Sequence, residues 1–218
     1  MGTKGYKGMG MEGGIARWYA KLTRRSLREF EDLAQRMHAG LPENARVLEV
    51  APGPGYFAIA LAKLGAFEIT GLDVSKTFVG IARKNAQEEG VKVDFQRGNV
   101  SRMPFADDSF DLILCRAAFK NFSEPVRALV EMRRVLRPGG KAVIIDLRRD
   151  TPREEIYRYI DAMKLSAVTS ILTKWSFRFM LLKRAYTREE FEQMIADSGW
   201  QKYDIHDAPV GFEITLMK

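Results

Sequence analysis

The stretch VLEVAPGPG, Val47 to Gly55, decides the reading of the chain. It starts as an apolar strand, ends in a glycine-proline turn, and places a carboxylate, Glu49, between apolar neighbours. A strand feeding a glycine turn and then an apolar-periodic run, GYFAIALAKLG, is a strand-turn-helix unit. The same alternation continues to Asp146. EITGLDV is followed by SKTFVGIARKNAQEEG, with Ser75 as the expected N-cap and Gly90 past the end. VKVDFQRG and FDLILCR read as further strands, SEPVRALVEMRRVLRPGG as a helix with a clear stop, and KAVIIDLR as another strand. Strands that are apolar throughout and alternate with helices predict a parallel α/β sheet, doubly wound, with helices on both faces.

Around this core the pattern differs. Ile15 to His38 has apolar residues at three- and four-residue spacing and predicts one helix, stopped by Gly40 and Pro42. After Asp150, Thr151, Pro152 and Glu154 read as a capping box opening a helix, and Thr187 with Glu190 as a second one. Gly199 ends that last helix, and QKYDIHDAPVGFEITLMK reads as a terminal antiparallel hairpin. The expected organisation is a single domain over 1–218. It comprises an N-terminal helical segment (1–44), a ligand-binding core (45–150), a helical cover (151–186), and a closing helix and hairpin (187–218).

The 218 residues suffice for one substantial core. The lone cysteine, Cys115, excludes a disulfide framework or thiolate zinc cluster within the chain and favours a reducing, cytoplasmic setting. No apolar run approaches a membrane span, and the glycine-rich start lacks a signal core and is expected to be mobile until something orders it. The net charge of +7 fits nucleic acid, an anionic membrane surface, an acidic substrate or plain solubility.

In such sheets ligands bind beyond the carboxyl ends of the strands. Gly53, Gly55 and Ala58 fit G-x-G-x-x-A, and Asp73 lies where a ribose partner is expected, so a dinucleotide is one candidate. Two features oppose it: Pro52 and Pro54 offer no N–H to a pyrophosphate, and Glu49 would face that anion. A cationic ligand removes the difficulty, because a buried carboxylate needs a partner. The alternative partners for Glu49 are a buried arginine or backbone N–H groups.

These motifs resemble those of class I S-adenosylmethionine-dependent methyltransferases. VLEVAPGPG is similar to the first motif, GLDVS to the second, GNVSRMPFADDSFDLILCRAAF to the third and fourth, and EMRRVLRPGGKAVIID to the helix-turn-strand that follows. The likeness spans Ala45 to Asp146, and the subgroup of quinone-precursor methyltransferases looks closest. Ala51 departs from the usual glycine, Pro52 from a common cysteine and Asn99 from a frequent aspartate. FKNF replaces a stretch that often holds histidine, which leaves the substrate class open.

The resemblance implies a Rossmann-like three-layer αβα fold that binds S-adenosyl-L-methionine and releases S-adenosyl-L-homocysteine. It implies Gly53, Gly55 and Ala51 as the turn beside the methionine portion and Glu49 as its holder. Asp73 would accept from the ribose hydroxyls, with helix capping before Ser75 as the other reading. Val74 and Val100 would flank the adenine, Asn99 would pair with it, and Cys115 and Arg116 would end the fourth strand near the methyl. Cys115 reads as a packed residue rather than a nucleophile. Tyr19 would reach the cofactor carboxylate or pack in the core.

The activity implied is in-line methyl transfer to a small apolar or aromatic molecule. A base is needed only if the acceptor must lose a proton. The candidates are His206, expected on a terminal strand, Lys120, expected with a solvated amine, Asp146 and Tyr157. Tyr159, Met163, Trp175 and Phe179 are the expected apolar lid. Lys174, Arg178, Lys183 and Arg184, interleaved there, allow a contact with an acidic group or a peripheral membrane contact, whereas Arg17, Lys21, Arg24, Arg25 and Arg28 in the first helix suggest RNA. No compact Asp/His set suggests a metal. Nucleic acid is disfavoured as a partner, and the oligomeric state is open. The competing functions are an RNA methyltransferase, a dinucleotide-dependent oxidoreductase and a non-catalytic methyltransferase-like subunit.

Overall fold

The computed structural model describes residues 5–7, 10–162, 167–176, 181–208 and 210–218. Seven strands form one sheet: β1 (Arg46–Val50), β2 (Glu68–Asp73), β3 (Asp94–Arg97), β4 (Phe110–Arg116), β5 (Leu136–Leu147), β6 (Lys202–Ala208) and β7 (Gly211–Met217). Their order is β3-β2-β1-β4-β5-β7-β6. All pairings from β3 to β5 are parallel, and β7 is antiparallel to both β5 and β6. The strand order reverses between β1 and β4, so the crevice at their C-terminal ends is the topological switch point.

Helices α2 (Leu27–His38), α3 (Tyr56–Ala62) and α4 (Lys76–Glu88) cover one face. Helices α5 (Pro125–Val135) and α8 (Arg188–Asp197) cover the other. The two-residue alternation of β1 sends Val47 into the α2–α4 layer and Leu48 and Val50 into the opposite layer. Glu49 shares the face of Val47, which aims it at α3. Pro125 opens α5 at its first turn. The Ser75 hydroxyl caps α4 by accepting from the Phe78 N–H at 3.1 Å, and Thr187 and Glu190 form the expected capping box of α8.

Three expectations change. The first helix is not continuous: α1 (Gly13–Thr23) and α2 are separated by a 3-10 turn at Arg24–Ser26. The Thr23 hydroxyl donates back to the Tyr19 carbonyl at 2.9 Å, and Ser26 leaves helical geometry at φ −104°, ψ 25°. The break lets α1 pack on α4 while α2 packs on α3; one straight helix of that length would run about 36 Å. Before α6 (Arg153–Ala162) the Thr151 hydroxyl donates to the Arg148 carbonyl. It serves the preceding turn, and the helix starts two residues later.

The N-terminal segment is also docked where it is described. Lys7 N–H donates to the Asn121 carbonyl and Ser123 N–H to the Gly5 carbonyl. The Glu12 carboxylate accepts from the Lys76 and Thr77 backbone N–H groups at 2.9 and 3.0 Å and from the Thr77 hydroxyl. These residues form a strap from the N-terminus of α4 to the turn after β4. Among the described residues no helix is long and apolar enough to cross a membrane.

Candidate functional site

The site is built on residues 51–55, which leave β1 at the switch point. Ala51, Gly53 and Gly55 all take positive φ, at 54°, 54° and 79°. For Gly53 the space where a Cβ would stand is open, whereas a Cβ on Gly55 would lie 2.6 Å from the Phe95 ring. Gly55 is therefore demanded by packing as well as dihedral, whereas Gly53 is buried but has free space where a side chain would stand.

Every backbone N–H in this turn is spent. Ala51 N–H donates to the Leu72 carbonyl (2.8 Å), Gly53 N–H to Asp73 Oδ2 (3.1 Å) and Gly55 N–H to the Pro52 carbonyl (2.9 Å). Pro52 and Pro54 have none. At the start of α3 the Ala58 N–H donates to Glu49 Oε2 at 3.1 Å. The position where a dinucleotide-binding turn would hold pyrophosphate is thus filled by the protein's own carboxylate.

Glu49 and Asp73 are buried, with 3% and 6% exposure. Burial raises the Glu49 carboxyl to about 8, opposed by the Ala58 N–H and the more distant Arg116 and reinforced by Asp73. Burial also raises Asp73, to about 6, opposed by the Ser75 and Gly53 N–H groups and reinforced by Glu12. Asp73 Oδ1 accepts from Ser75 N–H at 2.8 Å, so it caps as well as faces the cleft. Each carboxylate has more lone pairs than these donors use. Two buried acids with spare acceptor capacity, beside a glycine with free space at its side-chain position, fit a ligand that brings cationic and hydroxyl donors.

Val74 is half-buried and Val100 buried beyond β2 and β3. Asn99 Oδ1 accepts from Ser101 N–H at 2.9 Å, and the strap packs directly over this side chain at Gly5. Tyr19 is half-buried, edge-on to Phe78 at 5.9 Å. Tyr6, on the strap, has Arg184, Tyr19, Asp73 and Asp146 as electrostatic neighbours. Burial leads the causes that raise its phenol. The Tyr6 backbone bridges antiparallel to Phe122, in the turn after β4.

At the end of β4, Cys115 is wholly buried; desolvation first, then Asp146, push its thiol well above the ordinary range. It packs and does not attack. The Arg116 guanidinium turns to α2, pairing with Glu29 at 2.8 Å and lying 4.4 Å from the Phe30 ring centre. Lys120 corrects an expectation: its side chain is 5% exposed, not solvated. Its Nζ donates to Asp146 Oδ1 and to the Ala117 carbonyl, both at 2.7 Å, and its backbone N–H donates to Asp146 Oδ2 at 2.9 Å. The 3-10 turn Phe119–Asn121, anchored by the buried rings of Phe119 and Phe122, drives the amine inward. Breaking one side of such a pair typically costs about 3–5 kcal/mol.

The other candidates are scattered. His206 lies on the outermost strand, 73% exposed and 2.7 Å from Asp204, with β5 and β7 between it and β4. Tyr157 accepts from Arg153 at 2.8 Å, with Lys174 of α7 (Ala167–Ser176) 4.9 Å from its ring centre. Tyr159 is half-buried, with Glu29 and Arg116 as electrostatic neighbours. Trp175 is exposed on α7. Met163, Arg178 and Phe179 lie outside the described residues. Among the described residues no three His, Cys, Asp or Glu side chains converge as metal ligands.

Sequence reading missed the strap, the Glu12 cap and the inward Lys120. Only Lys120 had a local signal, its place between Phe119 and Phe122. Glu12 acts on residues more than sixty positions away.

Fold and site together define a doubly wound α/β protein whose switch-point turn is flanked by two buried acids and offers no free N–H to a phosphate. Residues 48–144 match the methyltransferase domain family. The chain belongs to the class I S-adenosylmethionine-dependent methyltransferases, and S-adenosylmethionine is its cofactor. It is 30% identical over 167 residues to the demethylmenaquinone methyltransferase of Renibacterium salmoninarum, covering 74% of this chain and 68% of that one. With the corresponding Chlorobaculum parvum enzyme the identity is 28% over 178 residues, covering 79% and 71%. A Methanococcus maripaludis structure shares the fold at a TM-score of 0.75 and 22% identity, covering 97% of this chain and 95% of that one.

Proposed function

We propose that this chain methylates a small apolar or aromatic acceptor, of the quinone-like kind for which its relatives are named. Residues 45–150 would hold the cofactor and residues 151–186 would cover the acceptor. The single buried cysteine suits work in a reducing cytoplasm.

The observation that carries this reading is the pair of buried acids, Glu49 and Asp73, flanking a turn with no free N–H. Glu49 would hold the cationic amino-acid end of the cofactor, Asp73 the ribose hydroxyls, and Val74 and Val100 the base. When bound, the cofactor supplies a methyl group on a sulfonium, already a good leaving group. Positioning is then the protein's main task, worth roughly 7–11 kcal/mol in well-oriented reactions.

Beside the end of β4, Lys120 and Asp146 satisfy each other, so neither is poised to take a proton. An electron-rich ring carbon, which needs no base before attack, suits this arrangement. Tyr159 on one side and the packed rings of Phe119, Tyr186 and Phe191 behind give the acceptor apolar surroundings.

The test supplies methyl-labelled S-adenosylmethionine with a reduced naphthoquinone, with total RNA, or with a small amine. Label extracted with the naphthoquinone is the expected result. Label retained only in RNA, or in none of the acceptors while calorimetry shows cofactor binding, removes the acceptor assignment.

A further inference from the structure

Helix α1 turns an apolar stripe away from the protein. Ile15, Trp18 and Leu22, spaced three and four apart, are 41%, 63% and 42% exposed, while Ala16 and Ala20 form the buried face. Beside the stripe stand Arg17 and Lys21, followed by Arg24, Arg25 and Arg28, all exposed. No acidic residue occurs from 13 to 28. None of the five cations forms an ion pair among the described residues, unlike Arg36, Lys63 and Arg116. An exposed tryptophan and two branched aliphatic side chains cost solubility without serving the core, and the clustered cations repel one another, with Arg24 alone also facing Glu89 across a groove.

We propose that this face of α1 docks on an anionic lipid bilayer. The stripe would enter the headgroup–acyl boundary and the cations would meet lipid phosphates. With 11 residues, about 17 Å, the helix is too short to span and lies along the surface. Charge argues against a second copy of the chain: a two-fold contact through this face would set five cations against the same five. Nucleic acid would use the cations but leaves the aliphatic stripe without a partner. Tyr19, on the inner side of the same helix, packs on Phe78 beside the site. Docking would therefore place the mouth next to the lipid. That consequence rests on the proposed apolar acceptor; the docking itself does not.

The experiment sediments the full chain with phosphatidylcholine vesicles, with and without phosphatidylglycerol, in the absence of any acceptor. Binding is expected only to the anionic vesicles, weakening as sodium chloride rises. The Trp18→Ser/Leu22→Ser variant is expected to partition roughly tenfold less, with its melting temperature and S-adenosylhomocysteine affinity retained. Arg24→Glu/Arg25→Glu is expected to act in the same direction. Failure of the native chain to sediment with anionic vesicles overturns the proposal, as does equal binding by the serine variant. So does finding, by sedimentation velocity, that the stripe instead closes a dimer. Binding to RNA that the serine variant keeps, with no vesicle binding, overturns it too. None of these outcomes depends on methyl transfer, so failure here is separable from failure of the activity.

Discussion

Glu49 combines two demands that conflict in an ordinary core. It anchors the start of α3 through the Ala58 N–H, and it stays buried with one donor and, among the described residues, no ion-pair partner. With its carboxyl raised to about 8 chiefly by burial, it holds its proton at pH 7 when the cleft is empty. A cation arriving beside it favours the ionised form and drives the proton out. Cofactor binding at pH 7 is therefore expected to release close to one proton. This would be seen as a calorimetric enthalpy that varies with the ionisation enthalpy of the buffer. Glu49→Gln should abolish that dependence and weaken affinity about tenfold or more. A buffer-independent enthalpy in the native protein would show that Glu49 is already ionised or lies away from the ligand's charge. The carboxylate in its apolar strand was legible from VLEVAPGPG alone, and so was the clash with a pyrophosphate. The Ala58 contact was an open alternative that the fold made real without excluding the ligand.

At the scale of elements, the strands and helices from β1 to α5 were legible because each is set by a local period and a local stop. β5 was legible only from Lys141, since it begins at Leu136 and the expected helix stop Arg137–Gly140 is part of the strand. The break between α1 and α2 was not, since a 3-10 turn barely disturbs a three-to-four residue apolar spacing. Nor was the strap, whose anchors come from distant sequence. Glu12 takes two orphan N–H groups at the positive end of α4, while Ser75 takes a third. The cap is expected to be worth about 1 kcal/mol. Glu12→Ala should accordingly lower the melting temperature by about 2–4 °C and speed amide exchange at Lys76 and Thr77. Burial pushes the Glu12 carboxyl up, but the hydrogen bonds from Thr77 and Lys76 outweigh it and leave it lowered. Its contribution is thus complete above the unfolded value and fades as pH falls through the lowered one. Unchanged exchange at Lys76 and Thr77 in the alanine variant would mean that Ser75 alone caps α4.

For the whole molecule these carboxyl groups set opposing pH dependences. Glu12, Glu131 and Glu190 are lowered, so their stabilisation disappears at acid pH. Glu49 and Asp73 are raised, to about 8 and about 6, so between roughly pH 4 and pH 8 the native state binds more protons than the unfolded chain. Stability of the empty protein should then decline as pH rises across that window and level off above it. The maximum should fall on the acid side of neutrality, far from the isoelectric point of about 9.5. With Glu49 holding the cofactor's amino group as proposed, cofactor is expected to reverse the slope at Glu49, because that cation favours the ionised carboxylate. The rise in melting temperature given by a fixed excess of S-adenosylhomocysteine should therefore grow from pH 5.5 to pH 8. Glu49→Gln should flatten the curve of the empty protein and make the ligand's effect less dependent on pH. If the empty and liganded curves of the native protein run parallel, the two buried acids do not carry the ligand's charge. The fold would then be serving some other chemistry at the same switch point.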